Sequence, residues 1–262
     1  MVRQLKRFVL MLRFMTVLPV WTELDATDED YGKGLVYAPL VGVIIGGLIA
    51  LPIYMLREVL QLNSPPLLAA VVIALYILLT GGLHLDGLGD TFDGVFCGKT
   101  KERMLEIMRD SRIGANAALV LTTVILLNYS LFFYMFADLE PTKTISFVIL
   151  FPVTGRLGSL VSSGYSKYAR SGSGLGKSFI DHCTYKEILL GLIGYFICFY
   201  GTRGLYGLVI CVPPMCIAFI MTVYFNRKLD GVTGDILGAV CELNQTAFLL
   251  ISILMEKLIG GY

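Results

Sequence analysis

Charge is scarce in this sequence. Only 16% of the residues are Asp, Glu, Lys or Arg, and the formal net charge is +1, so no overall field would attract nucleic acid or an acidic polymer. The six cysteines form no CxxC pair, and we interpret them as reduced, structural residues. No internal repeat is visible, which disfavours a transporter built from duplicated halves.

Apolar residues are abundant instead. They make up 56% of the chain and the mean hydropathy is +0.74, whereas soluble domains are roughly 45–50% apolar. We therefore predict an all-α, polytopic transmembrane helical bundle that forms a single membrane domain over residues 1–262. About seven spans are expected, each roughly 20 residues long. They lie near 36–56, 66–83, 115–137, 143–163, 187–202, 204–225 and 237–259, with a break at Thr202–Gly204 between the fifth and the sixth.

The N-terminal segment 4–20 alternates basic and bulky apolar residues and ends near Pro19 and Trp21. This pattern predicts an amphipathic helix at the membrane surface, with residues 1–34 as an interfacial helix and cytoplasmic lead-in. The alternative is a first span that contains a charge, at the energetic cost of a lipid-facing Arg. Because Arg13 interrupts the apolar stretch and a small-residue cleavage site is missing, we expect insertion to rely on internal helices.

The distribution of basic residues tests this topology independently of hydropathy. With the N-terminus inside, 16 of the 21 Lys and Arg residues fall on one side of the membrane, as the positive-inside rule requires of the cytoplasmic side. The other side holds only Arg57, Lys143, Arg203 and Lys257, and Arg156 falls inside the fourth span. The sequence therefore predicts a multi-pass protein with a cytoplasmic N-terminus.

The polar segment 84–114 follows the second span directly. Asp86, Asp90 and Asp93 are spaced i, i+4 and i+7, so they point within roughly 60° of one another on a helix. Three adjacent carboxylates favour a divalent cation, and oxygen ligands suit Mg²⁺ or Mn²⁺. Intervening glycines would let a phosphate or a neighbouring helix approach. His84 is a candidate base or supporting group. The alternative is a solvated acidic helix end.

Basic residues come next in the chain, at Lys99, Lys101, Arg103, Arg109 and Arg112. Metal-bound carboxylates beside Arg and Lys are typical of phosphoryl transfer, in which the cations hold the phosphates. The alternatives are that the lysines only follow the positive-inside rule and that the charged residues form ion pairs along a helix face.

Two later segments are candidates to complete the pocket. Arg156 is a charge inside a span, so it should face the bundle interior and a partner such as a phosphate or an aspartate. Asp235 and Glu242 are again spaced i, i+7 and would add ligands or bind substrate, although Asp is also common at helix N-termini. The Gly- and Ser-rich loop with Arg170 and Lys177 is suited to a phosphate or nucleotide but matches no nucleotide-binding fingerprint.

Beyond these residue-level arguments, GGLHLDGLGDTFDGVF followed by RMLEIMRDSRIGANA resembles the signature of the adenosylcobinamide-GDP ribazoletransferases, also called cobalamin synthases. The similarity extends to FMTVLPV, YAPLVGVIIG, SKYARSGSGLG and GVTGDILGAVCEL, and so covers most of the chain in order. One departure is Ser171, where the family usually has an acidic residue. The resemblance implies a multi-pass enzyme of the bacterial inner membrane. It would use Mg²⁺, or Mn²⁺, to join adenosylcobinamide-GDP to α-ribazole or its phosphate with release of GMP.

The residues and the resemblance together predict three sets of site residues. The catalytic set is Asp93, His84, Arg109 and Arg112; the metal set is Asp86, Asp90, Asp93 and Asp110; the substrate-binding set is Lys101, Arg103, Arg156, Arg170, Lys177, Asp235 and Glu242. The implied partners are the two substrates and the lipid bilayer, with no nucleic acid. A homo-oligomer, or an association with other cobalamin-assembly enzymes, stays open.

Two other functions compete with this interpretation. A CDP-alcohol phosphatidyltransferase also places aspartates at helical spacing on a membrane helix, but its motif predicts Ala-Arg where this chain has Gly89-Asp90. A cation-coupled transporter requires acids deep within spans, whereas Asp86 and Asp93 lie at a span end that leads into a basic segment. Both are less favoured.

Overall fold

The structure, a computed structural model, describes residues 2–20, 24–98, 100–110 and 112–258. Within these ranges the regular structure is helical apart from one isolated bridge between Tyr168 and Val232, which confirms the all-α class. The helices in chain order are α1 Val2–Met15, α2 Asp28–Gly34, α3 Ala38–Tyr54, α4 Pro65–Thr80, α5 Leu83–Val95, α6 Lys101–Ile107, α7 Ala115–Asp138, α8 Pro141–Tyr165, α9 Leu175–His182, α10 Tyr185–Ile210, α11 Val212–Leu229 and α12 Gly234–Leu258.

Five helical segments of the described chain are long and apolar enough to cross a membrane. They are Asp28–Val59, Ala115–Asp138, Pro141–Tyr165, Tyr185–Ile210 and Gly234–Leu258. A sixth is added if α4 and α5, which meet at 90°, count as one broken span. The prediction of about seven spans is therefore corrected to five or six. Helix α11 is not among them, because its 18 residues end in the polar run Asn226-Arg227-Lys228.

The break between the fifth and sixth predicted segments lies where the sequence placed it. Helix α10 extends to Ile210, but it is interrupted at Gly204, whose backbone is non-helical with φ 59° and ψ −144°. The Tyr195 hydroxyl donates to the Cys211 carbonyl at 3.1 Å, so the chain beyond Gly204 folds back along α10. Helix α11 then begins eight residues later than the predicted segment at 204.

The N-terminal helix α1 is short and amphipathic. Its 14 residues extend about 21 Å, too little for a hydrocarbon core of about 30 Å, so a charged first span is excluded. Its apolar face, which includes Leu10 and Met11, is buried. Its basic face contacts α2, where Arg7 Nε donates to Asp30 Oδ1 at 3.0 Å. The predicted contribution of Trp21 lies outside the described residues.

Helices α8 and α12 form the centre of the bundle, whereas α10 is largely exposed. Helix α3 packs closely on α8 through two glycines. A Cβ added at Gly42 would lie 2.6 Å from the Val153 Cα, and one at Gly46 would overlap the Ile149 carbonyl oxygen. Small residues at such a crossing let helix backbones approach, which gives the dispersion contacts that hold membrane helices together.

The two ends of the bundle separate the charged residues as the basic-residue pattern predicts. At one end the buried Glu256 carboxylate binds Lys143 at 2.9 Å and also Arg203, two residues of the side that is poor in basic residues. Lys101 binds Asp230 at 3.0 Å, and both belong to segments assigned to the basic side. The residues therefore group as predicted, while the cytoplasmic orientation of the basic end stays a prediction.

Candidate active site

The acidic helix α5 is turned sharply away from the preceding span. Helix α4 ends at Thr80, and Gly81 and Gly82 both adopt left-handed conformations with φ 61° and 70°, which non-glycine residues rarely adopt. Helix α5 consequently leaves α4 at 90°. The three aspartates therefore lie on a helix that crosses the bundle instead of extending a span.

Glycines bring α5 against the start of α12. A Cβ at Gly87 would lie 2.8 Å from the Asp235 carbonyl oxygen, and one at Gly238 would lie 2.9 Å from the His84 carbonyl oxygen. The expectation that glycines between the aspartates admit a neighbouring helix is confirmed. This crossing brings Asp235 to the face that carries Asp86.

A short backbone pairing positions the Arg170 side chain at the face that carries Asp86 and Asp235. The Ala169 amide donates to the Val232 carbonyl, and the Val232 amide donates to the Lys167 carbonyl, both at 2.9 Å. The loop is thereby fixed beside the N-terminus of α12, where Arg170 Nη2 donates to Asp235 Oδ2 at 2.8 Å. Arg170 and Asp235, both predicted to bind substrate, are thus paired at the acidic face.

Negative charge exceeds positive charge at this face. The Asp90 carboxylate is repelled by Asp235, Asp86 and Asp93 and attracted by Arg170. Such an excess favours a bound cation, and carboxylate oxygens are the donors that Mg²⁺ and Mn²⁺ prefer. In the described residues no three of these aspartates have oxygens within 4.8 Å of one another, so closing around an ion would require side-chain rotation. The donor chemistry fits a hard divalent cation.

Asp93 has a structural role that the sequence did not suggest. Its Oδ2 accepts the Gly114 amide at 2.7 Å, and its Oδ1 accepts the Ala117 amide at 2.9 Å. These amides belong to the N-terminus of α7, which lacks intrahelical partners for its first N–H groups. Asp93 thus ties the end of the RDSRIG motif to α5. Its predicted roles as metal ligand and base stay predictions.

Asp110 and Arg112 of that motif, residues 109–114, form an ion pair at the surface. Arg112 Nε donates to Asp110 Oδ1 at 2.9 Å, and these hydrogen bonds lower the pKa of the Asp110 carboxyl to about 2. The Arg112 side chain is 87% exposed. The structure therefore does not bring Asp110 and Arg112 to the acidic face, and Ser111 lies outside the described residues.

Basic residues line the clefts around the loop that holds Arg170. Arg109 donates to the Ser171 carbonyl at 3.4 Å and lines a cleft of about 430 Å³ together with Arg170 and Asp235. A second cleft, of about 440 Å³, contains Lys101 and Arg109. These clefts place positive charge beside the acidic face, as phosphate binding requires.

Other predicted basic residues are less central. Lys177 lines a third cleft, of about 410 Å³, with Asp28 and Asp181. Arg103 pairs with Glu106 at 2.6 Å on the surface of α6, so an ion pair along this helix face does form, but with Arg103 and not with Arg109. Lys99 lies outside the described residues.

Arg156 and Glu242 lie in the bundle interior and line none of these clefts. Arg156 Nη1 donates to the Tyr76 hydroxyl at 3.1 Å, and that hydroxyl donates to Glu242 Oε1 at 2.6 Å. Among the described residues the interior hydrogen-bond partner of Arg156 is therefore the Tyr76 hydroxyl, while its Nε and Nη2 have no partner, and its predicted contact with substrate stays a prediction. Ligand atoms of His84, Cys241 and Glu242 lie within 4.8 Å of one another, but a metal ion there would leave the Arg156 charge uncompensated.

The fold and the site together define a multi-pass membrane enzyme whose acidic and basic groups meet at one end of the bundle. The model of the family described as cobalamin-5-phosphate synthase matches residues 7–253. The chain belongs to this family. This assignment argues against the phosphatidyltransferase and transporter interpretations.

Curated relatives agree with the family assignment over nearly the whole chain. A protein of Clostridium acetobutylicum is 50% identical over 245 residues, covering 94% of each chain. One of Acetivibrio thermocellus is 50% identical over 254 residues, covering 97% of this chain and all of the relative. A relative in Clostridioides difficile is 37% identical over 259 residues. All three are named adenosylcobinamide-GDP ribazoletransferase. No solved structure matches the chain.

Proposed function

We propose that the protein transfers the adenosylcobinamide phosphoryl group from adenosylcobinamide-GDP to α-ribazole, or to α-ribazole 5′-phosphate, with release of GMP. The supporting observation is that Asp86, Asp90 and Asp235 lie together beside a cleft lined by Arg109 and Arg170. A nucleotide diphosphate donor requires both cations for its phosphates and a site for a divalent metal. The full-length relatives carry this activity in their names.

Mg²⁺ is the proposed cofactor, with Mn²⁺ as a substitute. Asp86, Asp90 and Asp235 would hold it, and when bound it neutralises charge that develops on the pyrophosphate. Asp235 replaces Asp110 in the predicted ligand set because Asp110 is engaged with Arg112 at the surface.

Arg170 and Arg109 are proposed to hold the donor pyrophosphate through charge-assisted hydrogen bonds. The acceptor 5′-hydroxyl oxygen attacks the phosphorus on the cobinamide side, and the bond from that phosphorus to the bridging oxygen breaks. GMP leaves with the electron pair, and the hydroxyl proton passes to a base. His84 is the proposed base: it is buried and precedes Asp86 by two residues, and its Nδ1 has no hydrogen-bond partner among the described residues.

Arg156 and Glu242 are proposed to position His84 instead of contacting substrate. They lie on α8 and α12 in the hydrogen-bonded network that includes Tyr76, and a carboxylate oxygen of Glu242 lies within 4.8 Å of a ring nitrogen of His84. We further propose that the site faces the cytoplasm of a bacterial cell, where soluble nucleotide and ribazole are available, since the basic residues collect at that end.

The proposed function is tested with purified protein in detergent, supplied with adenosylcobinamide-GDP, α-ribazole and Mg²⁺. Wild-type protein should release GMP, and Asp86→Asn should reduce the rate by at least about 100-fold, since the metal loses a charged ligand. Asp138→Asn, an exposed acid at the opposite end of α7, should behave as wild type. Full activity in Asp86→Asn would refute the assignment of the site.

A further inference from the structure

A partly enclosed cavity of about 180 Å³ lies between the N-terminal helices and the α5–α12 crossing. Its walls are apolar and aromatic: Phe14 and Met15 come from α1, Phe179 from α9, and Leu237 from α12. The Phe14 and Phe179 rings pack with centroids 4.6 Å apart. The cavity is therefore suited to an apolar group that packs against aromatic rings.

One end of the cavity is polar. His84, Asp86 and Asp235 belong to its lining. His84 is only 5% exposed, and its Nδ1 has no hydrogen-bond partner within the part of the chain that the structure describes. The carboxylates of Asp86 and Asp235 at this end can accept hydrogen bonds from a hydroxyl group. The occupant should combine an apolar ring system with a hydrogen-bonding group.

The cavity adjoins the basic cleft. Both are lined by Leu175, Gly176, Gly234 and Asp235, and the basic cleft also contains Arg109 and Arg170. A molecule in the cavity would therefore place its polar end at Asp86, directly beside phosphates held by the arginines. The donor, which carries the charged pyrophosphate, matches the basic cleft and not the apolar walls.

We propose that this cavity binds the aromatic base of the acceptor nucleoside, with Phe14 as a specificity-determining residue; the inference rests on the proposed function. An apolar cavity of roughly 150 Å³ accepts a benzene ring, so this one suits a somewhat larger flat base but is too small for a corrin macrocycle. The base would lie against Phe14 and Phe179, and the ribose hydroxyl would reach His84 and Asp86.

The first test measures KM for both substrates in two matched variants of α1. Phe14→Ala removes an aromatic wall of the cavity, whereas Phe8→Ala removes a ring of the same helix that packs on Tyr37. Phe14→Ala should raise KM for α-ribazole by about fivefold to tenfold and leave KM for adenosylcobinamide-GDP unchanged. The increase in KM should be smaller for an imidazole riboside, because its smaller ring makes less contact with Phe14. Phe8→Ala should change neither constant.

The second test uses the wild-type protein and so does not depend on a variant that folds. Free benzimidazole should inhibit competitively against α-ribazole and not against adenosylcobinamide-GDP. Inhibition competitive with the donor, or a Phe14→Ala effect on donor KM alone, would place a different group in the cavity and overturn the inference. An unchanged KM for α-ribazole in an active Phe14→Ala protein would do the same. The proposed function fails on a separate result, the absence of GMP release by wild type.

Discussion

The crossing of α5 and α12 can be tested by adding one methyl group. In Gly87→Ala the new Cβ would lie 2.8 Å from the Asp235 carbonyl oxygen and 3.0 Å from its Cα. Carbon–oxygen contacts are usually about 3.3 Å or longer, so the helices must separate by roughly 0.5 Å. Overpacking of this kind destabilises by about 1–3 kcal/mol, and the better helix propensity of Ala offsets about 1 kcal/mol of that.

The net loss of stability should therefore be about 0–2 kcal/mol, and the folded protein should also lose activity. The displacement moves Asp235 and Arg170 relative to Asp86, and a misplacement of about 1 Å can reduce a rate by about 100-fold. We expect Gly87→Ala to lower the GMP release rate by about tenfold, on the same scale. Gly47→Ala is the matched control, because its Cβ would meet nothing within 4 Å. A Gly87→Ala protein with wild-type turnover would show that the close approach of these helices is not needed.

Three further predictions concern Asp93, Glu256 and Asp110. Asp93→Asn can accept only one of the two α7 amides, so it should lose about 1.5–3 kcal/mol of stability and increase hydrogen exchange at Gly114; lost activity with unchanged thermal unfolding would instead support the predicted metal or base role. Glu256→Gln leaves Lys143 and Arg203 without their shared carboxylate and should destabilise by about 3 kcal/mol, measured by thermal unfolding beside the exposed control Glu140→Gln, without altering turnover of the folded protein. Because the pKa of Asp110 is lowered to about 2, its ion pair with Arg112 persists above its unfolded-state pKa and is lost only as pH falls through about 2. Asp110→Asn should therefore leave the pH profile of GMP release between about pH 5 and 9 unchanged, and an altered profile would contradict this.

Periodicity and hydropathy predicted the positions of the helices along the chain better than the orientations of the helix axes. The break at Gly204 was predictable because a Thr-Arg-Gly run interrupts an apolar stretch. The 90° bend at Gly81 and Gly82 was not predictable, because hydropathy carries almost no information on the direction of a helix axis. The span count was too high because α11 ends in a polar run that shortens its apolar part.

The acidic face was also predicted only in part. The helical spacing of Asp86 and Asp90 is a local property and was visible in the sequence. The approach of Asp235 depends on contacts between residues about 150 positions apart, for which a single sequence carries no periodic signal. The capping of α7 by Asp93 likewise depends on tertiary structure, because acceptor and amides are separated by more than 20 residues.

Helix α12 carries Asp235 in its first turn and Glu256 near its last, and at 1.5 Å per residue these carboxylates are about 31 Å apart. That length matches the hydrocarbon thickness of a typical bilayer. The helix therefore acts as a rigid rod between the two leaflets, fixed at one end to Lys143 and Arg203 and at the other to the reacting groups. We expect a thinner or thicker bilayer that tilts the rod to move Asp235 against Asp86 as well, and the rate of GMP release to depend on the acyl-chain length of the surrounding lipid.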